Sequence, residues 1–157
     1  MKKIYFFLLL NFIFSNAICQ DIFIGQTKEN VEKSLKSDNR QIVVENDMIT
    51  EKNYTFHNYQ FDVISYIFKE NKLALIALVD YYEKAEYKNK EIDFFKLFYE
   101  LKQSYALLKY KTKFLDYDRI FQFRHTFDNS IYYILTIRYN KNIKLCETVL
   151  RFESSIE

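Results

Sequence analysis

Val63-Ile64-Ser65-Tyr66-Ile67-Phe68 is followed by Lys69-Glu70-Asn71-Lys72 and then by Leu73-Ala74-Leu75-Ile76-Ala77-Leu78-Val79-Asp80-Tyr81-Tyr82. Two runs rich in β-branched and aromatic residues flank a short polar break, which is the pattern of a β-hairpin. The turn must be made without glycine or proline, because the chain has one glycine, Gly25, and no proline. Asn and Asp tolerate left-handed backbone and take over that work. The same device recurs at Phe127-Asp128-Asn129-Ser130 and Tyr139-Asn140-Lys141-Asn142, each between strand-like runs.

Outward from the hairpin, Ile42 to Glu45 and Tyr54 to Phe56 are short strand candidates. Further upstream, Thr27 can cap a short helix that carries Val31 and Leu35 at i and i+4. Downstream the period changes at Glu91. Phe94, Phe98, Leu101, Tyr105 and Leu108 recur at spacings of four and three, which predicts an amphipathic helix. Glu91 and Asp93 then fall in its first turn and Lys109, Lys111 and Lys113 at its end, as the helix dipole prefers. Three strands follow, Ile120 to Phe127, Ile131 to Tyr139 and Ile143 to Phe152.

The expected fold is α+β, with two helices on antiparallel sheet in the order α-β-β-β(β)-α-β-β-β. That order suggests two copies of a helix-plus-meander unit, residues 22–86 and 91–157. The halves share no obvious sequence identity, so a tandem duplication rests on element order alone.

The stretch Ile24-Gly25-Gln26-Thr27-Lys28-Glu29-Asn30-Val31-Glu32-Lys33-Ser34-Leu35 resembles the opening of secreted bacterial helix-plus-meander proteins. The small outer-membrane assembly lipoproteins and the β-lactamase inhibitor proteins are of this type. The resemblance implies a scaffold used for protein contacts, and it carries no functional residue onto this chain.

Residues 1–19 read as a secretory signal peptide. Lys2 and Lys3 precede the apolar run Ile4 to Phe14, and Ser15-Asn16-Ala17-Ile18-Cys19 supplies a processing site. A spanning helix needs about 20 apolar residues, and this run is about half that, interrupted by Asn11. The expectation is cleavage after Cys19, leaving residues 20–157 as one exported domain, periplasmic or secreted, with no stable membrane span. The minor alternative is a lipoprotein anchored through Cys19, although bulky Ile18 stands where a lipobox wants a small residue.

The full chain has 23 Lys+Arg and 21 Asp+Glu, and removal of the two leader lysines leaves 21 of each, a formal charge of zero. Residues 20–90 carry 10 bases and 12 acids, and residues 91–157 carry 11 and 9. Neither half makes the basic field that nucleic-acid binding requires. Lys, Asn, Ile, Tyr and Phe dominate the composition, and all have A/T-rich codons, so the 14 tyrosines are weak evidence of a binding surface. Aromatics in a small domain are more often core.

One glycine cannot make a phosphate loop, a dinucleotide-binding turn or a Gly-x-Ser-x-Gly elbow. Cys146, left without a disulfide partner, reads as a small buried hydrophobe on a strand. Only two histidines exist. His57, between Phe56 and Asn58, reads as a turn or strand-edge residue. His125 and Asp128 could supply two metal ligands where zinc wants three or four, and Asp116 and Asp118 read as a solvated turn. No catalytic, cofactor-binding or metal-binding residue is therefore assigned, and no cofactor is expected. The expectation is a non-enzymatic exported interaction protein of the bacterial envelope: an accessory factor, an inhibitor or an immunity-type partner, acting on another protein. The alternative is a small-ligand binder or unrecognised hydrolase with a tyrosine-lined pocket between helix and sheet.

Overall fold

The structure is a computed structural model that describes residues 24–112, 119–124 and 131–154. It is α+β and mostly sheet. Helix α1 spans Lys28–Ser37, and the strands β1 Ile42–Val44, β2 Met48–Phe56, β3 Tyr59–Lys69 and β4 Lys72–Tyr82 follow. A 3-10 turn at Lys84–Glu86 leads into α2, Tyr87–Ser104, and then β5 Ala106–Thr112, β6 Arg119–Arg124, β7 Ile131–Asn140 and β8 Leu145–Ser154. Among the described residues, eight strands lie in one antiparallel sheet in the order β1-β2-β3-β4-β8-β7-β6-β5. Among the described residues no helix is long and apolar enough to cross a membrane.

The glycine-free turns work through positive φ on polar residues. Glu70 and Asn71 sit at φ 51° and 62°, and His57 and Asn58 at 47° and 59°. Paired left-handed residues in a two-residue loop match the twist of the flanking strands. His57 thus occupies the β2–β3 turn. Thr27 accepts a hydrogen bond from the Asn30 N–H at 3.4 Å and starts α1. Gly25, at φ 94°, donates to the Leu73 carbonyl while the Leu73 N–H donates to Gln26. The segment before α1 is thereby tied to the start of β4.

Helix α2 ends earlier than its apolar spacing suggests. The Tyr105 N–H closes the last bond on the Leu101 carbonyl, and Tyr105 itself is extended at φ −134°. Leu108, Lys109 and Lys111 belong to strand β5, paired with β6, and Lys113 lies outside the described residues. The physical reason is that Tyr105 stacks on Tyr133 of β7 at 4.2 Å instead of continuing the helix. The start also differs: α2 begins at Tyr87, so Glu91 sits in its second turn, where it pairs with Arg119 of β6 at 2.6 Å.

Register shows why one side of the sheet is the core. Ile49, Tyr66, Ile76, Phe152, Tyr133 and Phe123 stand opposite one another across six strands. Ile64, Leu78, Leu150, Leu135 and Phe121 make the next row. Both helices lie over these rows: Val31 and Leu35 of α1 and Phe94, Leu97, Phe98 and Leu101 of α2 join them in one buried cluster.

The β2–β3 hairpin does not lie flat. Inward-facing positions are Ile49 in β2 and Ile64, Tyr66 and Phe68 in β3, but beyond Asn53, at φ 58°, they become Tyr54, Tyr59 and Phe61. The β3–β4 ladder ends at the Val63–Val79 pair, and the Asp62 carboxylate accepts the Tyr81 N–H at 2.9 Å. The outer arm of the hairpin bends over the helix side of the sheet. Phe56 meets Phe152 at 5.5 Å, and His57 at the tip pairs with Glu100 of α2 at 3.4 Å.

Candidate functional site

Two arrangements hold polar chemistry, one on each face of the β4–β8 seam. On the helix side, the register places Asp80 opposite Thr148 and Tyr82 opposite Cys146. Asp80 is 3% exposed and accepts from the Tyr59 hydroxyl at 2.9 Å and from Lys90 Nζ at 2.8 Å. Tyr82 and Thr148 share a hydrogen bond at 3.2 Å, and the Lys90 ammonium stands 5.6 Å from the Tyr82 ring. A buried carboxylate is tolerated only with such partners. Burial raises the Asp80 carboxyl above its ordinary value, and the bonds from Lys90 and Tyr59 only partly oppose it. The same burial pushes both Tyr59 and Tyr82 well above the usual phenol range. Asp80, Tyr59, Tyr82 and Thr148 are buried and Lys90 reaches them from a part-exposed position, so the cluster clips the hairpin arm through Tyr59 and the start of α2 through Lys90 to the seam.

Cys146 is fully buried beside this cluster on β8, and burial raises its thiol pKa. A reactive thiol needs the opposite shift. Lys84 is the cation that acts on it, against the larger effect of burial. His57 has Glu100 and the edge of Phe56, 4.4 Å away, as partners. Among the described residues no three His, Cys, Asp or Glu side chains gather into a metal-holding group. His125, Asp128, Asp116, Asp118 and Cys19 lie outside the described residues.

The second arrangement is the opposite face, which neither helix covers. Lys52, Val63, Val79, Val149, Thr136 and Ile120 form one cross-strand row there. Thr50, Ser65, Ala77, Arg151, Ile134 and Gln122 form the next. Most of these side chains are half-buried by one another. A cavity of about 200 Å³ opens on this face, with Ile120, Thr136 and Val149 between Arg138 and Arg151. Arg119 also borders it, but its guanidinium stands 4.8 Å from the Phe95 ring of α2 and pairs with Glu91, on the helix side.

On the same face Glu147 is 3% exposed, held by Arg138 Nε and by Asn140 Nδ2 at 3.2 Å. The cavity is lined by aliphatic, hydroxyl and guanidinium groups.

No known protein family, curated protein or solved structure matches the chain. The reading of its function therefore rests on this geometry and on the sequence.

Proposed function

We propose that this chain is an exported, non-enzymatic interaction protein that docks another protein on the open face of its sheet. The observation that carries the reading is the one-sided covering: both helices pack on one face, and the other presents Val63, Val79, Val149 and Ile120 in a single row. Eight strands about 4.8 Å apart, rising about 3.3 Å per residue, make a face on the order of 1,000 Å². A standard interface needs roughly 800 Å² per partner. Export is supported by the basic start, short apolar run and small-residue site of residues 1–19. Intact-mass measurement of the native protein tests it, with residues 20–157 expected and a diacylglyceryl mass on Cys19 reversing the assignment to an anchored lipoprotein.

The same reading includes a tandem duplication. In each half one helix precedes four strands, and the halves meet through their fourth strands, β4 and β8. The resemblance of Ile24 to Leu35 to secreted helix-plus-meander proteins fits a scaffold for protein contacts.

Capture of partners from the native envelope, followed by face mapping, tests the docking surface. Val63→Arg and Ile120→Arg, at the two ends of the open row, should release the captured partner. Tyr99→Arg, on α2 and 59% exposed, should retain it. Release by Tyr99→Arg alone would move the interface to the helix side.

A further inference from the structure

Arg151 stands at the centre of the open face, between Ala77 of β4 and Ile134 of β7 in register. It is half-buried, and among the described residues it has no carboxylate within ion-pair distance. The other arginines whose side chains the structure describes are paired. Arg40 is held by Glu51, Arg119 by Glu91 and Arg138 by Glu147. Lengthwise, Arg138 lies opposite Glu147, four residues along β8 from Arg151. The two arginines therefore start about 13 Å apart along the strands, with Val149 and Thr136 between them, and both border the cavity. Arg138 binds Glu147 through Nε, and its side chain is still 54% exposed. Its terminal nitrogens remain to serve a second acceptor.

A volume of about 200 Å³ is below the roughly 300–1,000 Å³ of small-molecule pockets. It is sized for a side chain pressed in by a larger body. Charge says which kind: in the cross-strand rows of this face the bases include Lys52, Lys69, Lys72, Arg138 and Arg151, against Glu147, already bound to Arg138, and Glu153. We infer that the partner docked on the open face presents an acidic side chain, flanked by apolar residues, whose carboxylate enters the cavity and is bound by Arg151 with support from Arg138. The apolar flanks then lie on Val149 and Ile120. Closure of the interface would remove water from this pair, and Arg–carboxylate bonds are strongest when bidentate and desolvated.

The inference rests on the open-face reading and is tested separately from it. A displayed library of random peptides is selected on the purified protein and then scored against Arg151→Glu, Arg151→Ala and Ile120→Arg, each first checked for a native amide NMR spectrum. The expected result is enrichment of Asp or Glu beside aliphatic residues, with binding at least tenfold weaker to Arg151→Glu and Arg151→Ala. Peptides released by Ile120→Arg but bound equally by both Arg151 variants, or lacking an acid, would overturn the acidic anchor and leave the open face as the interface. Peptides that Ile120→Arg does not release would overturn both.

Discussion

Leu101→Ala lowers the unfolding free energy by about 2–5 kcal/mol, the range for a buried leucine whose cavity only partly collapses. Leu101 has no exposed surface, and it sits one turn beyond Phe98, whose ring meets Phe121 at 4.2 Å and Phe123 at 5.9 Å. The Leu101 carbonyl also takes the final helix bond, from Tyr105, at 2.8 Å. Truncation there loosens the packing of α2 on the second half of the sheet at the point where the chain turns from helix to strand. Urea unfolding measures the loss, and Ile92→Ala is the control, because Ile92 lies on the same helix and is 59% exposed. A change near zero at Leu101, or equal losses at both sites, would mean that the stripe of α2 does not face the sheet.

Asp80→Ala costs about 3 kcal/mol, the low end of the range for breaking a buried charge pair, because the Lys90 side chain keeps 30% of its exposure. The Tyr59 hydroxyl loses its acceptor at the same time, and the residue is only 5% exposed. Hydrogen exchange should show the loss concentrated in the hairpin arm and the first turn of α2, the two elements the carboxylate clips to the seam. Asp80→Asn separates shape from charge. Burial holds the Asp80 carboxyl above its unfolded value, so the folded protein binds this proton more tightly than the unfolded chain. Stability from this group is full below the ordinary carboxylate range and is lost as pH rises through the raised one. Glu51, also raised chiefly by burial against the pull of Arg40, acts in the same direction. Urea midpoints between pH 4 and pH 7 should therefore slope less steeply in Asp80→Asn than in the parent, and an unchanged slope would remove Asp80 as a source.

What the chain made legible was local. The hairpin over residues 63–82 was readable because alternation, β-branching and a polar break coincide, and α1 because Thr27, Val31 and Leu35 stand at capping and i,i+4 positions. Strand β5 was hidden by an accident of spacing: Tyr105 and Leu108 continue the 3-4 rhythm of the helix. The rival signal, lysine at every second position from Lys109, was read as a basic helix end. Most of β2 was missed because Lys52-Asn53 interrupts its alternation where the hairpin turns over. Asp80 carries no signal of its own inside the run Leu73 to Tyr82, and its partners Tyr59 and Lys90 come to it only through the folded-back hairpin arm and the start of α2. The arginine clasp could not be seen at all, since Arg138 and Arg151 become neighbours of one cavity only through the β7–β8 register.

The order of strands in the sheet also sets a problem in time. β4 is joined on one side to β3, which precedes it directly, and on the other to β8, whose partners lie between 64 and 78 residues further along. Closing so long a loop is entropically unfavourable until many contacts form together. Until then the first half carries an open edge at Leu75-Ile76-Ala77-Leu78-Val79, a charge-free, proline-free segment of high β-propensity. Such an edge recruits any strand that reaches it. The centre of the finished sheet is thus the frontier of the nascent one, and assembly is a race between β8 and other chains for the same row of backbone amides.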